Sequence, residues 1–137
     1  MEKYYNSNNY KYSDITGKII KASIEVHKKL GCGFKEAIYQ KALAKEMNKL
    51  NLNFLKEVAM EIQYDDEIIG SRRVDFLVER KILIELKALE KLEDVHQVQL
   101  LNYLKIYKLE VGLLINFGSL KQIEIKRLVI TERTERL

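Results

Sequence analysis

An α/β chain of the α+β kind, with a mixed central β-sheet flanked by helices, is the fold class that the sequence predicts. Three observations lead to it. Two segments near the N-terminus repeat apolar residues at the helical period. Three strand-like runs follow, joined by two very short polar turns. A strand, a helix and a strand then come in that order, which implies a right-handed crossover and so a parallel pair within an otherwise antiparallel sheet.

Taken in order, residues 1–12 are rich in Tyr and Asn and read as a flexible N-terminal tail. One domain is expected over 13–131. Ser13 is placed to cap a first helix over 14–30, with Ile15, Ile19, Ile20, Ala22, Ile24 and Val26 as its buried stripe. Gly31-Cys32-Gly33 ends it. A second helix over 34–50 turns Ala37, Ile38, Leu43, Ala44 and Met47 inward. Strands are expected over 54–64, 67–78 and 82–89, with turns at Asp65-Asp66 and at Glu79 to Lys81. A third helix over 93–107 puts Val95, Val98, Leu101 and Leu104 in the core, and strands over 111–116 and 122–130 complete the sheet. Residues 132–137 read as a frayed end.

Composition bounds the class. The chain has 137 residues, 47% hydrophobic and 32% charged, with no Trp and no Pro, which suits a single soluble globular domain. No apolar run approaches the roughly 20 residues of a membrane span, and the polar N-terminus does not read as a signal peptide, so the expected location is cytoplasmic. One cysteine, Cys32, excludes an internal disulfide and a cysteine metal cluster. A net charge of +4 is compatible with a polyanionic partner, and Arg72, Arg73, Lys81, Lys87 and Lys91 gather around one stretch of sequence.

That stretch holds the chemistry. Glu-x-Lys occurs three times in the chain. Glu79-Arg80-Lys81 is a charged turn, and Glu124-Ile125-Lys126 alternates as a half-exposed strand. Glu85-Leu86-Lys87 lies instead in a strand apolar on both faces, where charges are rare unless paired or bound to metal. A three-residue loop at 79–81 sets Val78 opposite Ile82 and Asp75 opposite Glu85, whereas a two-residue loop would put Asp75 on the wrong face. The odd register also gathers Val74, Phe76, Val78, Ile82, Ile84 and Leu86 on one apolar face. Carboxylates opposed in this way lie within roughly 5 Å and need neutralising. Either a divalent cation or Lys87 itself can do so, and the second needs no chemistry.

Two helices can overhang this pair. Gln99 and Tyr103, four residues apart, share one face of the third helix, with His96 a turn earlier. For His96 and His27 a structural role is favoured over metal ligation. Glu36 lies in the first turn of the second helix, where the helix dipole alone favours a carboxylate.

In order along the chain, the motifs are Gly33-x-x-Glu36-x-x-Tyr39, Asp75, Ile84-Glu85-Leu86-Lys87-Ala88, His96-x-x-Gln99-x-x-x-Tyr103-Leu104 and Gly112 to Gly118. Together they resemble the GxxExxY family of the PD-(D/E)XK nuclease superfamily, over about residues 15–130. Val74 stands where the proline that named the superfamily would be. The resemblance implies a PD-(D/E)XK, restriction-endonuclease-like fold and metal-dependent hydrolysis of phosphodiesters, in DNA ahead of RNA. Asp75, Glu85 and the backbone carbonyl of Leu86 would hold Mg²⁺ or Mn²⁺, with Glu36 joining through a water. Lys87 would act as a cation positioning the attacking water, and Gln99 and Tyr103 would orient a phosphate or a strand end. The alternatives are an inactive nucleic-acid- or protein-binding module on the same fold, or a nuclease subunit active only in a larger complex. The small size suits such a complex or a homodimer.

Overall fold

Sheet order follows chain order. The computed structural model describes residues 11–130. Its elements are α1 (Ser13–Leu30), α2 (Glu36–Lys49), β1 (Phe54–Tyr64), β2 (Glu67–Val78), β3 (Ile82–Lys87), α3 (Asp94–Tyr107), β4 (Val111–Asn116) and β5 (Glu124–Val129). The five strands form one sheet in the order β1-β2-β3-β4-β5. All neighbours are antiparallel except β3 and β4, which run parallel because α3 carries the chain back between them.

The expected loop register holds, with Val78 opposite Ile82 and Lys81 N–H donating to the Val78 carbonyl at 2.9 Å. Alternation along β3 then divides the core. Ile82, Ile84 and Leu86 face the layer of α1 and α2, where they join Ile19, Tyr39, Leu43 and Met47. Leu83 faces α3 and joins Leu100, Tyr103 and Leu104. β3 is therefore buried on both faces.

Several side chains point elsewhere than expected. Tyr12, in a left-handed conformation, is the N-cap of α1, and Ser13 is helical and does not cap it. Ile24 is 41% exposed, while Thr16 and Ser23 take the buried stripe; Ser23 Oγ donates to the Ile19 carbonyl at 2.8 Å, which satisfies its polarity within the helix. In α2, Ala37 and Ile38 face solvent and Tyr39 is buried instead. In α3, Val95 and Val98 are exposed because the helix turns Leu100, Tyr103 and Leu104 inward, and the Tyr107 hydroxyl donates to the Glu61 carbonyl.

Val74 also leaves the face shared by Phe76 and Val78 and packs on the α3 side. The cause is a break in the β1–β2 ladder between Lys56↔Phe76 and Val58↔Val74, where Glu57 takes a φ of 51°. Of the N-terminal tail expected at 1–12, only Lys11 and Tyr12 are among the described residues. Both are held: Lys11 pairs with Glu110 at 2.9 Å, and Tyr12 packs on the core. The end at 132–137 lies outside the described residues.

Beyond β3 the chain is clamped. Asn116, fully buried, accepts from the amides of Leu89 (2.8 Å) and Gly118 (3.1 Å), and donates to the Leu89 carbonyl (2.9 Å) and to Glu124 (2.7 Å). A Cβ on Gly118 would lie 2.4 Å from the Leu89 nitrogen and 2.5 Å from the Ala88 carbonyl carbon. Since that neighbour is backbone, it cannot move without opening the clamp. Gly118→Ala is expected to lower stability by about 1–3 kcal/mol, read as a drop in the urea midpoint at unchanged slope; an unaltered midpoint would contradict this account of the clamp.

Candidate active site

The β2–β3 ladder stops at Phe76↔Ile84, and one residue further the two acids take over its hydrogen bonds. Asp75 N–H donates to Glu85 Oε1 at 3.2 Å, and Leu86 N–H donates to Asp75 Oδ2 at 2.8 Å. The pair of Glu57 with Asp75 is likewise missing from the β1–β2 ladder, so Asp75 stands in a gap between the two ladders. There its second oxygen, Oδ1, accepts from Gln40 Nε2 of α2 at 2.8 Å. On an extended strand the amide and carbonyl of one residue point to the same edge, so the Leu86 carbonyl faces this gap as well.

Electrostatic conditions here are unfavourable to the charged pair. Glu85 is only 7% exposed, and burial, followed by the charge of Asp75, pushes its carboxyl up to about 7. The Asp75 amide, Lys87 and Arg72 oppose that rise but do not cancel it. Lys87, half-buried, closes no ion pair of 4 Å or less among the described residues. The acids are thus oriented by neutral donors and are not neutralised by their own lysine.

Glu36 is exposed at the start of α2, yet burial of its carboxyl end raises it above its ordinary value, and it feels Lys87, Asp75 and Arg72. It therefore lies within electrostatic reach of the pair. Tyr103 is buried against the sheet with the Arg72 guanidinium 6.0 Å over its ring, and Gln99 is half-buried one turn before it. His96 does not point to a metal: its Nδ1 accepts from Glu93 N–H at 3.0 Å and completes a capping box at the start of α3.

Gln40 is the site residue that the sequence reading missed. A signal existed, because Gln40 stands four residues after Glu36 and so shares its helix face.

The donor set suits a hard divalent cation. Two carboxylates and a main-chain carbonyl are oxygen ligands of the kind Mg²⁺ and Mn²⁺ take, and each Asp75 oxygen keeps a lone pair beyond the bond it accepts. Among the described residues no group of three His, Cys, Asp or Glu side chains converges. The protein ligands would therefore be few and waters would complete the shell, as is usual for Mg²⁺.

The strain has a measurable signature. Glu85 holds its proton to about pH 7 when folded against an ordinary value of 4.5, so the folded state binds more protons than the unfolded state in that window. Stability should fall as pH rises from about 4.5 to about 7 and then level off. Glu85→Gln should therefore be the more stable protein at pH 8 in chelator, by about 1–3 kcal/mol, with the difference closing by about pH 5. Thermal melts of both proteins across this range test it, and equal stability at pH 8 would refute it.

A family model described as the PD-(D/E)XK nuclease superfamily matches residues 13–128. No curated protein matches the chain. Among solved structures, the chain is similar to one titled "Crystal structure of SSO0001", at 17% identity and a TM-score of 0.46, covering 88% of this chain and 69% of that one. A mixed five-stranded sheet with three helices agrees with the restriction-endonuclease-like fold. No helix among the described residues is long and apolar enough to cross a membrane. With the family match spanning nearly all of the described residues, the chain belongs to the PD-(D/E)XK nuclease superfamily.

Proposed function

We propose that this protein is a nuclease of the GxxExxY group that hydrolyses phosphodiester bonds, with DNA as substrate and Mg²⁺ or Mn²⁺ as cofactor. The observation that carries the reading is the meeting of Asp75 and Glu85 at a broken ladder, each hydrogen-bonded to backbone and neither paired with Lys87. Asp75, Glu85 and the Leu86 carbonyl would hold the cation, and Glu36 would reach it through water. A cation held there supplies Lewis-acid polarisation of the phosphoryl group and acidifies water.

The chain's own groups do the rest. Gln40 and the Leu86 amide fix the Asp75 carboxylate, so little reorganisation remains when substrate arrives. Lys87 stabilises charge developing on the phosphate and orients the attacking water. Arg72, lying over Tyr103, and Gln99 on the same helix are positioned to hold a neighbouring phosphate. One such site cuts one strand, so scission of a duplex would require a second copy or a larger complex.

Incubation of the purified protein with linear, circular and single-stranded DNA and with RNA, in Mg²⁺, Mn²⁺ or chelator, tests the proposal. Cleavage should need metal and should fall about 100- to 1,000-fold in Lys87→Ala and disappear in Asp75→Asn. Absence of cleavage together with absence of Mn²⁺ binding by calorimetry would leave a binding module on the same fold.

A further inference from the structure

The loop between α1 and α2 carries a large aromatic side chain out to solvent beside the gap. Phe34, two residues before Glu36, is 48% exposed, and Ile38, one turn on, is 42% exposed. Phe34 is nevertheless held in place. Its amide donates to the Tyr39 hydroxyl at 3.2 Å, and that hydroxyl donates to the Gly31 carbonyl at 2.6 Å. Its ring stands edge-on to Tyr39, 6.2 Å between centroids at 74°. Tyr39 stacks flat on Phe117 at 4.6 Å, and Phe117 N–H donates to the Lys87 carbonyl at 2.9 Å. Phe34 is thus the outer member of a row of three rings whose inner end is bonded to the strand bearing Glu85 and Lys87.

Near the exposed ring stand several cations and the acid Glu36. Lys35 follows it directly and is exposed, while Lys87 and Arg72 act on Glu36 two residues away. A rigid aromatic face among cations is the arrangement that binds unpaired nucleotides, because every base offers a π-face to stack and a phosphate to neutralise. In a duplex those faces are already stacked and hidden. An apolar protein partner would gain nothing from the flanking positive charge.

We propose that Phe34 is a base-stacking platform that receives an unpaired nucleotide next to the phosphate that a cation at Asp75 and Glu85 would hold, so that the substrate is a single strand or a splayed end. This rests on the nuclease reading and names its substrate class. Phe34 is a positioning residue, acting on the strand and not on the reacting phosphate.

The chain has no Trp, so Phe34→Trp creates a sole tryptophan whose emission can be excited apart from that of the tyrosines. In a Lys87→Ala background, which suppresses turnover in Mg²⁺, a single-stranded oligonucleotide should quench that fluorescence, and a blunt duplex of the same sequence should not. Phe34→Ala should weaken single-strand binding, measured by anisotropy of a labelled oligonucleotide, by about 10- to 100-fold, and Phe34→Tyr should restore it. A single strand that binds without quenching, equal quenching by the duplex, or unchanged affinity in Phe34→Ala would overturn the platform while leaving the nuclease reading intact if the wild type still cleaves. Tryptophan emission already blue-shifted in the free protein, with a dimer on sizing, would assign Phe34 to a protein contact and overturn the platform as well. No binding and no cleavage of any nucleic acid would remove both readings together.

Discussion

Two carboxylates face one another at the point where the β2–β3 ladder ends, and the rest of the site is arranged around that encounter. The register that brings them together is set by a three-residue loop at the other end of the hairpin. Because side chains alternate along a strand, a slip of one residue would bury one acid and expose the other. Loop geometry at Glu79 to Lys81 therefore fixes chemistry three residues beyond Val78. Placing two acids together costs free energy, and Glu85 shows it in a carboxyl pushed up to about 7. The surrounding sheet can bear this cost because β3 is buried on both faces by apolar layers on either side.

Three separate structures hold the pair from three directions. From β1, the left-handed backbone at Glu57 leaves Asp75 without a partner in the β1–β2 ladder, and Val74 beyond it packs on the α3 layer. From α2, Gln40 reaches over to one Asp75 oxygen while the β3 backbone takes the other. From β4, Asn116 and Gly118 pin the segment after Lys87, which keeps the end of β3 from fraying. None of these contacts is with solvent-exposed loop alone. A site assembled this way is rigid before any ligand arrives, and rigidity at the reacting centre is what electrostatic catalysis requires.

Much of this was legible in the sequence where one period dominated. The hairpin register followed from loop length and from the gathering of Val74, Phe76, Val78, Ile82, Ile84 and Leu86 on one face, which all but Val74 share. The buried faces of the helices were less legible, for a physical reason. In α3 both the set Val95, Val98, Leu101, Leu104 and the set Leu100, Tyr103, Leu104, Tyr107 have helical spacing; hydropathy favours the valines, whereas the tyrosines fill more volume and find partners for their hydroxyls or rings. Thr16 and Ser23 in α1 are buried because each hydroxyl is satisfied by a carbonyl of its own helix, which no hydropathy scale registers. The crossing of Val74 depends on a left-handed backbone at Glu57, a residue that carries no turn signal. Gln40 was hidden because a lone polar residue on a helix ordinarily faces water.

The donors around Asp75 orient the acidic pair without supplying it a positive charge. An acid that served stability alone would be best relieved by a cation, and Lys87 is only two residues from Glu85. Yet the groups that touch Asp75 are an amide side chain and a backbone N–H, which orient a carboxylate without cancelling its charge. Replacing either acid by its neutral isostere would keep the geometry and remove the repulsion. The two acids are oriented without a cationic side chain closing on them, and once Glu85 gives up its proton near pH 7 they form a localised negative potential that an external cation could relieve. Under the proposed nuclease function, a lysine locked between the acids would occupy the space and the lone pairs that a metal would need, whereas one that closes no ion pair with them would keep its charge for the phosphate.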